Sequence, residues 1–527
     1  MPRRLNSAAR NRASRNRESA AACTVMIGML TAVSPCPAAQ AGQLRQAPPK
    51  AVAANAPAPH PATPGPEVAK FLAISAPRVV LRHVSVIDGS GAAPLADQTV
   101  IIADGRIAAI GPAATTPLPK DAELHDYRGY SILPGLVGMH DHLYYSASNA
   151  LQRGGGTVLE PGVIVAEIAY SAPRLYLAGG VTTLRTTGSV EPYTDFKVHS
   201  RIEAGLMPGP HMDVTAPYLE GAPTYFAQMH ELTDPEDARR LVDIWADYGA
   251  TSFKAYMHLT RAELAAAAGE AHRRGFRITG HLCSVTWPEA VAAGIDDFEH
   301  GPVYTDSEFV GGKIPDVCPK AQELQASWVA EPIEGAKVAA LIRLLVDHHI
   351  AVTSTLPVFE LYVPGRPPPQ RRTLEAMASG ARESYLTERS MLDPNNPTPA
   401  LLLHKEMAFE RAFAAAGGLL LAGPDPTGNG GVLPGFGNQR ELELLVEAGF
   451  TPLQAIQIGT QNGARFLGRD KDIGTLAPGK RADLVLVKGD PAAHIEDIEN
   501  VEVVFKDGLG YDSRRLIDAV RGQVGIR

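Results

Sequence analysis

The sequence predicts an α/β fold: a distorted (β/α)8 TIM-type barrel with a small β-sandwich formed from both chain ends. Three observations carry this reading. Through the middle of the chain, β-branched runs alternate with amphipathic or Ala-rich stretches, the pattern of parallel βα units. Strand-like runs without intervening helices sit near both ends. The 527 residues are long enough for one large barrel with an appendage, its simplest closed form at this size.

The elements follow in order. Residues 78–88, RVVLRHVSVID, are rich in β-branched residues and partly alternate. Residues 99–111 give two short strands around Asp104-Gly105, and Asp-Gly between apolar runs is a strong hairpin signal. The sandwich draws on 78–133 and on 469–527, where 482–491 and 501–508 repeat the same character. The barrel is assigned to 134–468. Within it, Thr182-Thr183-Leu184, Thr251 to Tyr256, Arg277 to Gly280, Asp297 to His300, 350–356 and Gly417 to Gly423 read as strands. Thr260-Arg261-Ala262-Glu263 is a capping box that opens an Ala-rich helix, and Lys337 to His349 is an amphipathic helix. His300 and Asp425 are far apart for two βα units, so 301–330 and 357–400 are read as lids.

The first residues are not fold. Met1 to Ser19 is polar with six Arg, Ala20 to Val33 is mostly apolar, and Ala39-Gln40-Ala41 is a small-x-small site. Residues 1–41 therefore read as a signal peptide, with an uncleaved anchor as the alternative. Cleavage after Ala41 takes the net charge from −8 to −13. The expected location is exported, periplasmic or secreted, without stable membrane insertion once the signal is removed. Residues 42–77 read as an Ala/Pro-rich linker, since 15 of the 29 residues from Gly42 to Lys70 are Ala or Pro.

Composition excludes several classes. With 45% apolar and 20% charged residues the chain can build a core, which rules out a disordered protein. The negative charge argues against a non-specific nucleic-acid binder. Four Cys are too few for a disulfide-built scaffold. Cys283 and Cys318 remain after cleavage; they either pair or stay as two buried thiols.

The chemistry gathers at strand ends. His140 and His142 are two apart on an extended segment, so both imidazoles share one face and suit a divalent ion. Lys254, His281, His300 and Asp425 each lie in or at the end of a predicted strand. Barrel enzymes place their catalytic groups at the C-terminal strand ends. A chance HxH on a loop, or a snorkelling or acid-paired Lys254, are the plainer readings of single members. Five such placements in order outweigh them.

These residues sit in PGLVGMHDH (134–142), GGVTTLRTTG (179–188), FKAYM (253–257), GHL (280–282), EHG (299–301), GPD (423–425), ELELLVEAGFTPLQAI (441–456) and GTLAPGKRADLVLV (474–487). With these motifs the chain resembles the amidohydrolase superfamily, in its imidazolonepropionase-like and Xaa-Pro or Xaa-Arg dipeptidase-like branch. The likeness runs from about Arg78 to Gly508. It implies that His140, His142 and Asp425 hold one metal and that His281 and His300 hold a second. It further implies that Lys254 is carboxylated by CO2 to N6-carboxylysine and bridges both. A bridging hydroxide would attack, with Asp425 as proton shuttle. Zn is the default for two such divalent ions, and Mn, Co or Fe fit similarly.

Two positions depart from the family pattern. Arg185 is followed by Thr186 where an Asp is usual, and Asp425 follows Pro424 where Thr or Ser is commoner. Substrate contacts are less sharply marked. Tyr256 reads equally as a substrate hydrogen-bond partner or a packed Tyr. Arg185 reads as a grip on a substrate carboxylate or as an internal salt bridge. His211, His230 and His258 are expected to be surface or hydrogen-bonding residues, not ligands.

The resulting expectation is an enzyme: a binuclear metal-dependent hydrolase of an amide or peptide C–N bond in a small dipeptide or N-acyl amino acid. The rivals are a cyclic-amide hydrolase or deaminase, a lactone or phosphotriester hydrolase, and a non-catalytic scaffold. No nucleic-acid partner is expected, and assembly into a homo-oligomer is compatible with the sequence.

Overall fold

The computed structural model describes residues 64–145, 166–191, 193–224, 226–367 and 370–525. The expected signal peptide and most of the linker lie outside them. Among the described residues no helix is long and apolar enough to cross a membrane.

The scaffold of the site is a set of short parallel strands. We number them β1 (Leu136–Gly138), β2 (Val181–Arg185), β3 (His211–Asp213), β4 (Ser252–Ala255), β5 (Arg277–Gly280), β6 (Asp297–Glu299), β7 (Ala351–Ser354) and β8 (Leu420–Ala422). β1, β2 and β3 form a three-stranded parallel sheet in the order β3-β2-β1, and β4 to β8 form a five-stranded one in chain order. Backbone bonds join the two sheets at both seams. Met139 N donates to Ala422 O at 2.9 Å, and Ala216 N donates to Ser252 O at 2.9 Å. The first seam needs a glycine at 423, because a Cβ there would meet His140 N at 2.2 Å.

Every one of these strands is buried along most of its length, as expected for strands covered on both faces. Helices alternate with them. The Ala-rich helix spans Arg261–Arg273 and begins with the Thr260–Glu263 capping box that the sequence predicts. The helix expected over 337–349 spans Ala336–Asp347. The segments expected to be lids are helical in part, with Ala321–Ala330, Ser379–Ser390 and the start of Thr398–Ala415 the longer pieces. They meet near the site, where Tyr304 stacks on Phe359 with ring centroids 3.4 Å apart.

Both chain ends join in one nine-stranded sheet. Leu484–Lys488 pairs antiparallel with Tyr130–Pro134, which in turn pairs with Arg78–Val86. The Asp104-Gly105 hairpin forms as predicted, with φ of 50° and 73° at its two turn residues. One boundary moves: the folded part begins before residue 78. Leu72–Ile74 pairs with Leu509–Asp512, because Phe71 and Ile74 bring buried apolar side chains to the end of the expected linker.

The two Cys also resolve. Cys283 and Cys318 form a disulfide, with Cα atoms 4.8 Å apart, which ties the segment after β6 to the end of β5.

Candidate metal centre

The strand ends bring the expected ligands into one buried cluster. His140 and His142 follow β1, and Asp425 follows β8 across the seam. His140 Nε2 lies 3.7 Å and His142 Nε2 3.3 Å from Asp425 Oδ1. The donor atoms of these three residues all fall within 4.8 Å of one another, close enough to share one ion. His300, after β6, places Nδ1 3.8 Å from Asp425 Oδ2. Its ring centroid is 4.5 Å from that of His140 and 4.4 Å from that of His281. His281 follows β5 and is partly exposed. Lys254 lies on β4 and is 1% exposed.

The backbone is bent to make this cluster. His300 and Asp425 both hold positive φ, 73° and 49°. Non-glycine residues in that region cost on the order of 1–3 kcal/mol and gather at functional sites. Thr427 Oγ1 donates to Asp425 Oδ1 at 2.8 Å, and Asp425 N donates to His140 O at 3.1 Å. Pro424 therefore does not prevent Asp425 from being held.

Three of the four imidazoles are oriented from behind. His140 Nδ1 meets Glu299 Oε2 at 2.7 Å, His142 Nδ1 meets the carbonyls of Thr186 and Gly188 at 3.1 Å, and His300 Nδ1 meets Thr355 Oγ1 at 2.8 Å. Such partners set which ring nitrogen remains for a metal.

The electrostatics suit a cation. Burial brings His140 down to about 4 and His281 to about 3, and drives His300 well below the usual histidine range. These imidazoles are neutral at pH 7 and ready to ligate. Burial opposes the charge on Asp425, but His140 and His142 outweigh it and keep this carboxylate ionised well below its usual range. Burial brings Lys254 down to about 8, against the opposing fields of Glu299 and Asp425. A buried amine depressed in this way is the type that reacts with CO2. The donor set of neutral imidazoles and carboxylate therefore fits divalent metal.

Arg185 has partners other than the substrate carboxylate that the sequence suggested. Its guanidinium is 1% exposed; Nη2 donates to Asp297 Oδ2 at 2.7 Å and to Glu299 Oε1 at 2.9 Å, and Nε donates to Met139 O at 2.8 Å. It links the floor of the site to Glu299 and so to His140. Tyr256 does reach the site's edge, its ring centroid 5.1 Å from that of His281 and 4.6 Å from that of Tyr218. Of the remaining histidines, His211 bonds Glu203 at 2.9 Å and His230 bonds Asp237 at 2.9 Å, as expected of hydrogen-bonding residues.

Sequence reasoning missed Glu299, Thr355 and a pair of tyrosines. Tyr144 and Tyr218 share a hydroxyl–hydroxyl bond of 2.7 Å, and the Tyr144 ring stacks on His142 at 4.4 Å. Glu299 was within reach, since it precedes His300 in a buried strand where a carboxylate needs a partner. The tyrosines carry no local signal.

A second cluster of possible ligands, His211, Asp483 and Asp507, is already occupied by protein cations. Arg481 Nη1 donates to Asp507 at 2.7 Å and lies 3.0 Å from His211 Nε2, and Lys506 lies 3.3 Å from Asp507. It is a charge-balanced latch between β3 and the terminal sheet.

Buried histidines, a lysine and an aspartate at the C-terminal ends of parallel strands define a metal-dependent hydrolase on a TIM-barrel-like α/β domain. The comparisons agree: the amidohydrolase family model matches residues 131–509, and the chain belongs to that family of enzymes hydrolysing C–N bonds. It is 26% identical over 439 residues to imidazolonepropionase of Geobacillus kaustophilus (strain HTA426), covering 77% of this chain and 89% of that enzyme. Its fold is similar to a Xaa-Pro dipeptidase solved with bound methionine, at TM-score 0.60 and 20% identity over 82% of this chain and 100% of that one. It is also similar to bottromycin amidohydrolase, at TM-score 0.62 and 21% identity over 87% of this chain and 95% of that one.

Proposed function

We propose that the chain is a binuclear metal-dependent hydrolase that cleaves an amide or peptide C–N bond in a small substrate, a dipeptide or an N-acyl amino acid. The observation that carries this is Lys254, a buried lysine whose charge is felt by His140, His281 and His300 and whose depressed amine suits a carbamate. His140, His142 and Asp425 would hold one ion, His281 and His300 the other, and carboxylated Lys254 both. The ions, with Zn as the default, would supply Lewis-acid chemistry that acidifies water and polarises the scissile carbonyl.

The chain's own residues do the rest. Asp425, ionised and steadied at Oδ1 by Thr427, would accept the proton of the attacking water and return it to the leaving amine. Glu299 holds His140 with its proton on Nδ1, and Thr355 fixes the orientation of the His300 ring. Tyr256, whose ring lies beside that of His281, would donate to the substrate carbonyl oxygen. Likeness to the imidazolonepropionase keeps cyclic-amide hydrolysis as the second reading.

We also read the two parallel sheets as one closed (β/α)8 barrel, on the strength of the seam hydrogen bonds. The terminal sheet is read as folding over its own core of Val79, Leu81, Val100, Leu484, Val503 and Phe505 into a small sandwich. The basic-then-apolar first 41 residues support an exported location.

Elemental mass spectrometry on purified protein tests the reading. About two ions per chain are expected. One ion would point to a mononuclear deaminase-like enzyme, and none after reconstitution with metal and bicarbonate to a scaffold. Asp425→Asn should abolish turnover on a panel of dipeptides and N-acyl amino acids while leaving the thermal transition in place. Retained turnover would sink the proton-shuttle role.

A further inference from the structure

We propose that the Cys283–Cys318 disulfide positions the histidines of the second ion, so that its loss weakens that ion while the first stays bound. This rests on the two-ion reading above and adds a pair of positioning residues to it.

The four imidazoles are not held alike. His140, His142 and His300 each turn Nδ1 to a protein partner. Among the described residues none hydrogen-bonds either nitrogen of His281, whose ring is met edge-on by Tyr256 at 5.1 Å and by His300 at 4.4 Å. His281 is also partly exposed, where the other three are buried. A ligand ring with no polar partner behind it takes its position from its own backbone.

That backbone is tied down next to the disulfide. His281 N donates to Ala255 O at 3.0 Å, and Leu282 is fully buried. Cys283 is bonded to Cys318, and its carbonyl accepts from Ser307 Oγ at 2.8 Å. Ser284 N donates to Met257 O at 3.0 Å, and Ser284 O accepts from Lys313 Nζ at 2.6 Å. Ser307, Lys313 and Cys318 all come from the segment that follows β6. The disulfide is the covalent member of this set.

The same bond encloses the other histidine of the second ion. It closes a ring with a sequence separation of 35; His300 lies inside the ring and His281 two residues ahead of it. Closing the ring restricts the separations that the ends of β5 and β6 can explore. Ligands ordered in advance bind more tightly, because less ordering falls on the binding step. The ligands of the first ion stand outside the ring, His140 and His142 after β1 and Asp425 after β8. Glu299 is within it, but Arg185 and Thr279 pin that carboxylate inside the strands, so His140 keeps its partner when the ring opens. The effect therefore falls on one ion and spares the other.

The test is competition for zinc against chelators of graded affinity, on the full chain, wild type and Cys283→Ala/Cys318→Ala. Wild type should take up about two ions. The double variant should keep one at the wild-type affinity and bind the other roughly 10–100-fold more weakly. Cys318→Ser, at a partly exposed position, should show the same split even if alanine at the buried Cys283 disturbs folding. A bond that merely stabilises the fold would lower the thermal transition without separating the two affinities. Affinities that stay unchanged in both variants, or that fall together, would overturn the positioning role and leave the two-ion reading standing. Fewer than two ions on wild type would overturn that reading and this inference with it.

Discussion

His140 turns one ring nitrogen to Glu299, 2.7 Å away, and the other to Asp425, 3.7 Å away, so that a single imidazole couples two carboxylates from different strands. Glu299 in turn accepts from Arg185 and Thr279. The charges of Arg185 and Lys254, with the hydrogen bond from His140, overcome its burial and keep it ionised well below the usual carboxylate range.

Removing that charge should loosen the metal without unfolding the chain. Glu299→Gln is expected to lower metal affinity by roughly 10–100-fold, the usual effect of losing a partner behind a ligating histidine. Competition with a chromogenic chelator measures this. Unchanged affinity would mean that His140 is oriented by something else.

Lys254 predicts a pH dependence with a definite sign. Carbamate forms on the neutral amine, and burial brings this amine down to about 8. The reactive fraction therefore rises from ~10% at pH 7 to ~90% at pH 9. Metal reconstitution in bicarbonate should accelerate several-fold across that interval once the bicarbonate–CO2 balance is held constant. The metal-free protein has the matching linkage. Its unfolded chain binds more protons at Lys254 between pH 8 and 10.5, so this group adds stability as pH rises through that window. Lys254→Met should abolish both effects; a pH-independent reconstitution rate would refute the carbamate.

The latch between β3 and the terminal sheet should matter for stability, not for turnover. Asp507→Asn leaves Arg481 and Lys506 short of a buried counter-charge, at a cost on the order of 3 kcal/mol in urea unfolding. Acid should act on the same cluster. Burial raises Glu203, but its hydrogen bond to His211 prevails and brings it from 4.5 to about 2. Its contribution is full above pH 4.5 and disappears as pH falls towards 2. Glu203→Gln should flatten that part of the acid-unfolding curve.

The disulfide closes a segment with a sequence separation of 35. Peptide mapping without reductant should recover Cys283 linked to Cys318. Reduction should destabilise the chain by about 2–4 kcal/mol.

Local chemistry explains what could be read from the sequence. The Asp104-Gly105 turn, the Thr260 cap and the His140–His142 spacing each depend on a few adjacent residues, and each appears as expected. Arg185 could not be assigned in the same way. Its partners Asp297 and Glu299 lie 112 and 114 residues further on, and only the pairing of strands brings them together. The Tyr144–Tyr218 pair and the Arg481 latch were hidden for the same reason, since nothing in their own neighbourhoods marks them. Composition misled at the linker, where the Ala/Pro-rich run ending at Lys70 masked the buried Phe71 and Ile74 that follow it as anchors of a strand.

The sheet shared by the two ends sets the order in which the molecule can be completed. Ser131 bonds Gly489 across 358 residues, and Tyr130–Pro134 finds its neighbour only in Leu484–Lys488 on that side. During synthesis this edge stays open while the whole catalytic region is made, an exposed template for wrong pairing. The ligand-bearing strand β1 begins two residues after that edge strand ends. Closure of the sheet thus fixes the entry point of His140, and the chain's late residues determine when its metal centre can first assemble.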